Sequence, residues 1–107
     1  NLPRAKRRAA LVSVLSARVS EGRLKLVDEL KFQEIKTKRV GEVMANFGAD
    51  SCLLVDDENH TVKLSARNHA KAKFLEQAGV NVMDVLRYPM VVMTVSAARG
   101  LEKRLLG

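Results

Sequence analysis

The chain has 107 residues, enough for one domain, and 47% of them are hydrophobic, which is enough to build one core. No apolar run approaches the roughly 20 residues that a membrane-spanning helix needs, and no secretory signal segment is visible. The formal net charge is +7, and all of it lies in the first third of the chain: residues 1–39 contain eleven basic and four acidic side chains, whereas residues 40–107 contain eight of each. This asymmetry favours a polyanionic partner, either nucleic acid or an anionic surface.

The first predicted element is a helix from about Pro3 to Ser20, ended by Gly22. Its apolar stripe consists of Leu11, Leu15 and Val19. Its first turn is crowded with cations, although a helix N-terminus carries partial positive charge and disfavours them. The basic residues of this turn are Arg4, Lys6, Arg7 and Arg8.

A short strand is predicted over residues 24–28, and a second helix begins near Lys36 and ends at Gly48. Apolar side chains at i, i+3, i+4 and i+7 give this helix one buried face. These residues are Val40, Val43, Met44 and Phe47. A second group of cations lies at its start, namely Lys36, Lys38 and Arg39.

The remaining chain alternates between strand and helix patterns. Continuous apolar runs predict buried strands over 51–55 (SCLLV) and 90–95 (MVVMTV), and KAKFL at 71–75 predicts a more exposed strand. A short helix is expected over 61–68, and Asn81 is expected to cap another that ends at Arg87. Ser96 is expected to cap the last helix, whose inward face holds Ala98, Leu101 and Leu105.

Strands that alternate with helices predict an α/β fold, a three-layer α/β/α arrangement with a four-stranded parallel sheet. We expect one globular domain over residues 1–107, forming a piece of a longer protein because no initiator methionine is present. Helices in such folds run antiparallel to the strands, so both basic helix starts are expected at the sheet edge that carries the strands' carboxyl ends. Open α/β sheets usually bind ligands at that edge, and helix N-termini attract phosphate.

Two other functions are compatible with the sequence. Asp56, Asp57 and Glu58 follow a buried strand and suggest a Mg²⁺-dependent phosphoacceptor of the receiver type centred on Asp56. The basic face also suits a protein–protein interaction module with an acidic partner. Neither a nucleophile elbow nor a glycine-rich phosphate loop occurs, and no enzyme activity, metal, cofactor, small-molecule substrate or membrane partner is predicted.

Four stretches occur in an order and spacing that resemble a known family: LPRAKRRAALVSVLSARVSEGRL, KTKRVGEVMANFG, DDENHTVKLSARN and GVNVMDVLRYPMVVMT. Together they cover nearly the whole chain. They resemble the C-terminal globular part of the large-subunit ribosomal protein L4 family, in its bacterial or organellar form. In that family this part follows a long Gly- and Arg-rich loop.

The resemblance implies a non-catalytic structural protein of the ribosome, in a bacterial cytoplasm or an organelle matrix such as that of mitochondria. Its implied partners are large-subunit rRNA and neighbouring large-subunit ribosomal proteins. The residues expected to contact rRNA match the family's basic helix start, its KTK run and its SARN motif, with Arg39 added from the charge pattern. They are Arg4, Lys6, Arg7, Arg8, Lys36, Lys38, Arg39, Arg67 and Asn68. The Leu64–Asn68 segment, LSARN, is equally compatible with a purely structural role.

Overall fold

The computed structural model describes residues 3–106. Within this range, five α-helices and four strands follow one another, with a single 3-10 turn at Gln77–Gly79. Each predicted helix and strand is present, and its ends differ from the prediction by at most two residues. The elements are α1 (Arg4–Ser20), β1 (Leu24–Val27), α2 (Thr37–Asn46), β2 (Cys52–Asp56), α3 (His60–Arg67), β3 (Ala72–Glu76), α4 (Val82–Arg87), β4 (Met90–Thr94) and α5 (Val95–Leu106).

The four strands form one parallel sheet in the order β1-β4-β2-β3. The central strands are the two apolar runs, and their register places Leu53 opposite Val91. Both of these side chains are fully buried, because helices cover the two faces of the sheet. The predicted α/β fold with a four-stranded parallel sheet is confirmed.

Alternation along the central strands separates the core into two layers. Leu53 and Val55 point toward α1, α4 and α5, where they pack with Leu11 and Leu101. Leu54 points to the opposite face, where the buried side chains of α2 and α3 complete the second layer. Those side chains are Val40, Met44, Val62 and Ala66. The helix α1 and the helix α2 therefore lie on opposite faces of the sheet.

Glycine ends two helices in the way that the sequence predicts. Gly22 and Gly48 adopt positive φ values of 70° and 64°, a conformation that L side chains disfavour. The chain then turns so that the Arg23 amide donates to the Arg18 carbonyl at 2.8 Å. The Ala49 amide donates to the Met44 carbonyl at 2.9 Å in the same way. Both ends are Schellman motifs, which satisfy carbonyls that the helix leaves free.

The predicted inner face of α1 is correct for Leu11 and Leu15 but wrong for Val19, which is 60% exposed. Val19 lines an open groove beside Leu24 and Leu26 of β1. Because β1 is an edge strand of the sheet, this side chain stays largely accessible.

The cap of α5 differs from the prediction. Thr94, not Ser96, accepts a hydrogen bond from the Ala97 amide, at 3.2 Å. The Ser96 hydroxyl donates to Asp57 instead, at 2.5 Å. The helix follows β4 without a connecting loop, so the last strand residue serves as the cap. No helix among the described residues is both long and apolar enough to cross a bilayer.

Candidate nucleic-acid interface

The cations at the start of α1 project from an uncapped helix end. Pro3 occupies the N-cap position without a side-chain hydrogen bond, and the first turn contains no acidic residue. Arg4, Arg7 and Arg8 occupy positions i, i+3 and i+4, so they share one helix face. All three are exposed and line an open cleft. Lys6 is exposed on the same turn but does not line this cleft.

No carboxylate within residues 3–106 forms an ion pair with these four cations. The helix dipole and the mutual repulsion of like charges both work against this arrangement. An anion from outside the described chain would relieve both effects. The α1 start thus groups four cations that have no ion pair within the described residues.

The second basic helix start has a different setting. Lys36 lies 3.4 Å from the Glu34 carboxylate, and Arg39 lies 3.0 Å from that of Glu42. Two of its three cations are therefore partly neutralised, while Lys38 is exposed without an ion pair within the described range.

The two basic helix starts lie on opposite faces of the sheet, because α1 packs in one layer of the core and α2 in the other. The Lys36 amide donates to the Ser65 hydroxyl at 3.0 Å, so α2 begins beside the second half of α3. Residues 28–36 form the connection from β1 to α2. It buries Leu30, and the Leu30 carbonyl accepts a hydrogen bond from Asn59 at 2.7 Å.

The LSARN segment divides into a structural part and an exposed part. Ser65 and Ala66 are buried, and the Ser65 hydroxyl donates to the Thr61 carbonyl at 2.8 Å while accepting from Lys36. Arg67 and Asn68 are exposed at the end of α3. The structural interpretation of this segment accounts for Ser65. Arg67 and Asn68 remain accessible for contact with a partner.

The carboxylate of Asp56 is occupied within the fold. Its Oδ1 accepts from the Thr94 hydroxyl at 2.8 Å and from the Asp57 amide at 2.7 Å. Its Oδ2 accepts from the Asn59 side chain at 2.8 Å. These bonds hold β2, β4 and the start of α3 together, so Asp56 acts as a structural acceptor. Within residues 3–106, no group of three or more His, Cys, Asp or Glu side chains is arranged to hold a metal ion.

Two titratable groups in the described part of the chain have shifted pKa values. Burial raises the pKa of the Cys52 thiol to about 12, against a smaller opposing effect of a hydrogen bond with the Val92 backbone. Burial also acts to raise the pKa of Asp84, but hydrogen bonds from Asn81 and Lys73 outweigh it and leave that pKa below its usual value. Both groups belong to the core and its edge, not to the basic clusters.

Sequence reasoning missed one member of the cleft at the α1 start. Arg104, from the last turn of α5, lines the same cleft as Arg4 and donates a hydrogen bond to the Ala78 carbonyl. Cations in a last helical turn are the favourable arrangement, so Arg104 gave no sequence signal. Only the packing of α5 across the sheet brings the two helix ends together.

The fold and these surfaces define the class of basic three-layer α/β proteins whose cations gather at helix ends. Within that class, the chain belongs to the ribosomal protein L4/L1 family, whose sequence profile matches residues 1–104. It is 40% identical over 106 residues to the large ribosomal subunit protein uL4 of Desulfatibacillum aliphaticivorans, covering 98% of this chain and 52% of that protein. It is 41% identical over 104 residues to the protein of the same name from Pelotomaculum thermopropionicum, covering 96% and 50%. The chain thus spans about half the length of the curated relatives it matches.

Proposed function

We propose that this chain is a structural constituent of the large ribosomal subunit that binds large-subunit rRNA, supports subunit assembly and translation, and catalyses no reaction. The family match and the names of the bacterial relatives support this role. Its location is then the ribosome, in a bacterial cytoplasm or in an organelle matrix. Neighbouring ribosomal proteins are its other partners.

The observation that carries the proposal is the cation cluster of α1. Arg4, Arg7 and Arg8 share one face, lie at a helix N-terminus, and have no carboxylate partner within residues 3–106. RNA phosphates supply the missing negative charge, and each phosphate contact displaces counterions from the RNA. We assign the main contact with rRNA to this cluster together with Lys6.

A second contact is assigned to four exposed basic residues and one exposed asparagine of the opposite face. Phosphate must compete with the ion pairs that Lys36 and Arg39 form with Glu34 and Glu42, so the contribution of these two residues is smaller. This contact comprises Lys36, Lys38, Arg39, Arg67 and Asn68.

The test compares two triple variants with equal changes in charge. Arg4, Arg7 and Arg8 are changed to Gln in one variant, and Lys36, Lys38 and Arg39 are changed to Gln in the other. Affinity for large-subunit rRNA is measured by filter binding at several salt concentrations. Losing three phosphate contacts lowers the magnitude of the negative slope of log affinity against log salt by about 2 to 3. We expect this loss in the α1 variant and a smaller one in the α2 variant.

Circular dichroism confirms that both variants are folded before binding is compared. Poly-glutamate serves as the competitor that represents an acidic protein partner. Equal losses of rRNA affinity in the two variants would contradict the assignment of the main rRNA contact to the α1 cluster. Competition by poly-glutamate as effective as that by rRNA would instead favour the protein–protein module.

A further inference from the structure

An open cleft of about 810 Å³ lies between the start of α1, the start of α4 and the end of α5. Pockets of roughly 300–1,000 Å³ accommodate small-molecule ligands. We call it the α1–α5 cleft and define it by its four arginines and its apolar wall. The arginines are Arg4, Arg7, Arg8 and Arg104, and the wall contains Val82, Met83 and Leu105.

The four guanidinium groups approach the cleft from two directions. Three project from the first two turns of α1, and Arg104 projects from α5, where it is anchored by its hydrogen bond to the Ala78 carbonyl. No acidic residue of the described chain lines the cleft. Guanidinium groups bind phosphate through paired N–H donors, and their flat faces also stack on nucleobases.

The apolar wall is unusual for a surface rich in arginine. Met83 is 78% exposed, the highest exposure among the large hydrophobic side chains within residues 3–106. It stands beside Val82 on the first turn of α4, inside the cleft. A methionine thioether contacts aromatic rings favourably and adapts its shape to them. The cleft therefore offers cations for phosphates next to an apolar surface for a flat ring.

We propose that the α1–α5 cleft receives one unpaired nucleotide of the bound RNA. The phosphates on either side of this nucleotide contact the arginines, and its base lies against Met83. The inference rests on the proposed function, because it specifies what the RNA must present to the same basic helix start. A base inside a continuous duplex is stacked on both sides and cannot enter, whereas a bulged or looped base can.

The cleft does not select the identity of the base. Asn81 is the uncharged polar side chain that lines the cleft in the described part of the chain, but its amide is already used by the fold. Its Oδ1 accepts from the Asp84 amide at 2.9 Å, and its Nδ2 donates to the Asp84 carboxylate at 2.9 Å and to the Gly79 carbonyl at 3.1 Å. Recognition thus depends on whether the base is unpaired, not on which base it is.

The test uses two dye-labelled RNA hairpins that differ only in one bulged adenosine. Fluorescence anisotropy at constant salt gives the affinity of the whole 107-residue chain for each. We expect the bulged hairpin to bind about three- to tenfold more tightly. Met83→Gln should abolish this preference and leave the affinity for the paired hairpin unchanged. Arg104→Gln should weaken binding of the bulged hairpin more than that of the paired one.

Matched controls come from the same two helices. Leu86 is 57% exposed on α4 but does not line the cleft, so Leu86→Gln should retain the preference. Lys103→Gln removes one charge next to Arg104 but outside the cleft lining and should affect both hairpins equally. Loss of the preference in either control would contradict the assignment to this cleft.

Equal binding of the two hairpins, or a preference that survives Met83→Gln, would overturn this inference and leave the proposed function intact. Absence of binding to both hairpins and to rRNA at low salt would overturn the proposed function as well. Adenosine monophosphate serves as the free-nucleotide probe. Saturable binding of this probe that Met83→Gln abolishes, without a preference for the bulged hairpin, would assign the cleft to a free nucleotide and overturn the RNA assignment.

Discussion

Arg4 lies at a position where its positive charge lowers the stability of its own helix. It is the first residue of α1, and Arg7 and Arg8 lie on the same face one turn further along. The partial positive charge of the helix end and the neighbouring guanidinium groups both raise the free energy of the folded chain. A phosphate bound at this position would remove that cost.

Changing Arg4 to Glu should therefore stabilise the isolated chain while weakening its binding to rRNA. We expect the free energy of unfolding to rise by about 1 kcal/mol at low salt. Urea denaturation measures it, and added salt should reduce the gain because the residue is exposed.

Arg4→Gln separates removal of the positive charge from addition of a negative one and should give about half of the effect. Lys103→Glu is the control that should change the free energy of unfolding in the opposite direction, because it puts an anion in the last turn of α5. A destabilised Arg4→Glu chain would show that Arg4 makes a favourable contact in the folded state.

Two glycines, one inside helix α2 and one just after it, have opposite effects on the stability of the fold. Gly48 ends it with a φ of 64°, where any side chain is strained. Gly41 lies in the helix interior, and a Cβ atom there would meet only the His69 ring, at 3.9 Å, which is ordinary van der Waals contact. Glycine is needed at Gly48, whereas at Gly41 it only makes the unfolded chain more flexible.

Replacing each glycine with Ala should consequently shift stability in opposite directions. We expect Gly48→Ala to lower the free energy of unfolding by about 1 kcal/mol because of strain. We expect Gly41→Ala to raise it by about 0.5–1 kcal/mol because Ala has the higher helix propensity. Urea denaturation of both variants tests the pair, and a destabilised Gly41→Ala chain would indicate a close contact with His69.

At the scale of the whole molecule, Lys73 and Asp84 link the edge strand β3 to α4. The Lys73 ammonium lies 3.1 Å from both oxygens of the Asp84 carboxylate, which is buried. Arg87 adds a further positive charge, and these cations together with Asn81 keep the pKa of Asp84 below its usual value despite burial. This link fixes the start of α4, and hence Met83, in place beside the sheet.

The lowered pKa determines the sign of a pH dependence. Because the folded chain holds the Asp84 carboxylate ionised more strongly than the unfolded chain does, its stabilisation is complete above about pH 4 to 5, where the unfolded carboxylate is also ionised. It is lost as the pH falls through the native pKa. Asp84→Asn should thus lower the free energy of unfolding at pH 7 and differ less from the original chain at acidic pH.

Urea denaturation at several pH values measures this difference. Lys73→Gln, alone and combined with Asp84→Asn, shows how much of it comes from the ion pair. A difference between Asp84→Asn and the original chain that stays constant from pH 7 to acidic pH would contradict the role given to the carboxylate.

Much of the fold could be predicted because its signals are local. Pro3 and Gly22 bound α1, Asn81 caps α4 by accepting from the Asp84 amide, and the apolar runs of β2 and β4 are the central strands. The family assignment also rests on ordered local motifs. The predictions that the structure contradicts depend on how neighbouring elements join and pack. Thr94 replaces Ser96 as the cap because β4 runs directly into α5, and Val19 is exposed because it lies beside the edge strand β1.

The amino-acid sequence alone was sufficient to predict the helices and strands, the parallel sheet and the concentration of positive charge in the first third of the chain. These properties follow from periodicity, capping chemistry and composition, which act over a few residues. The folded chain was needed to show that the two basic helix starts lie on opposite faces, that Asp56 makes structural hydrogen bonds, and that Arg104 joins Arg4 at one cleft. These relations depend on strand order and on how the helices cross the sheet, which local propensity does not encode.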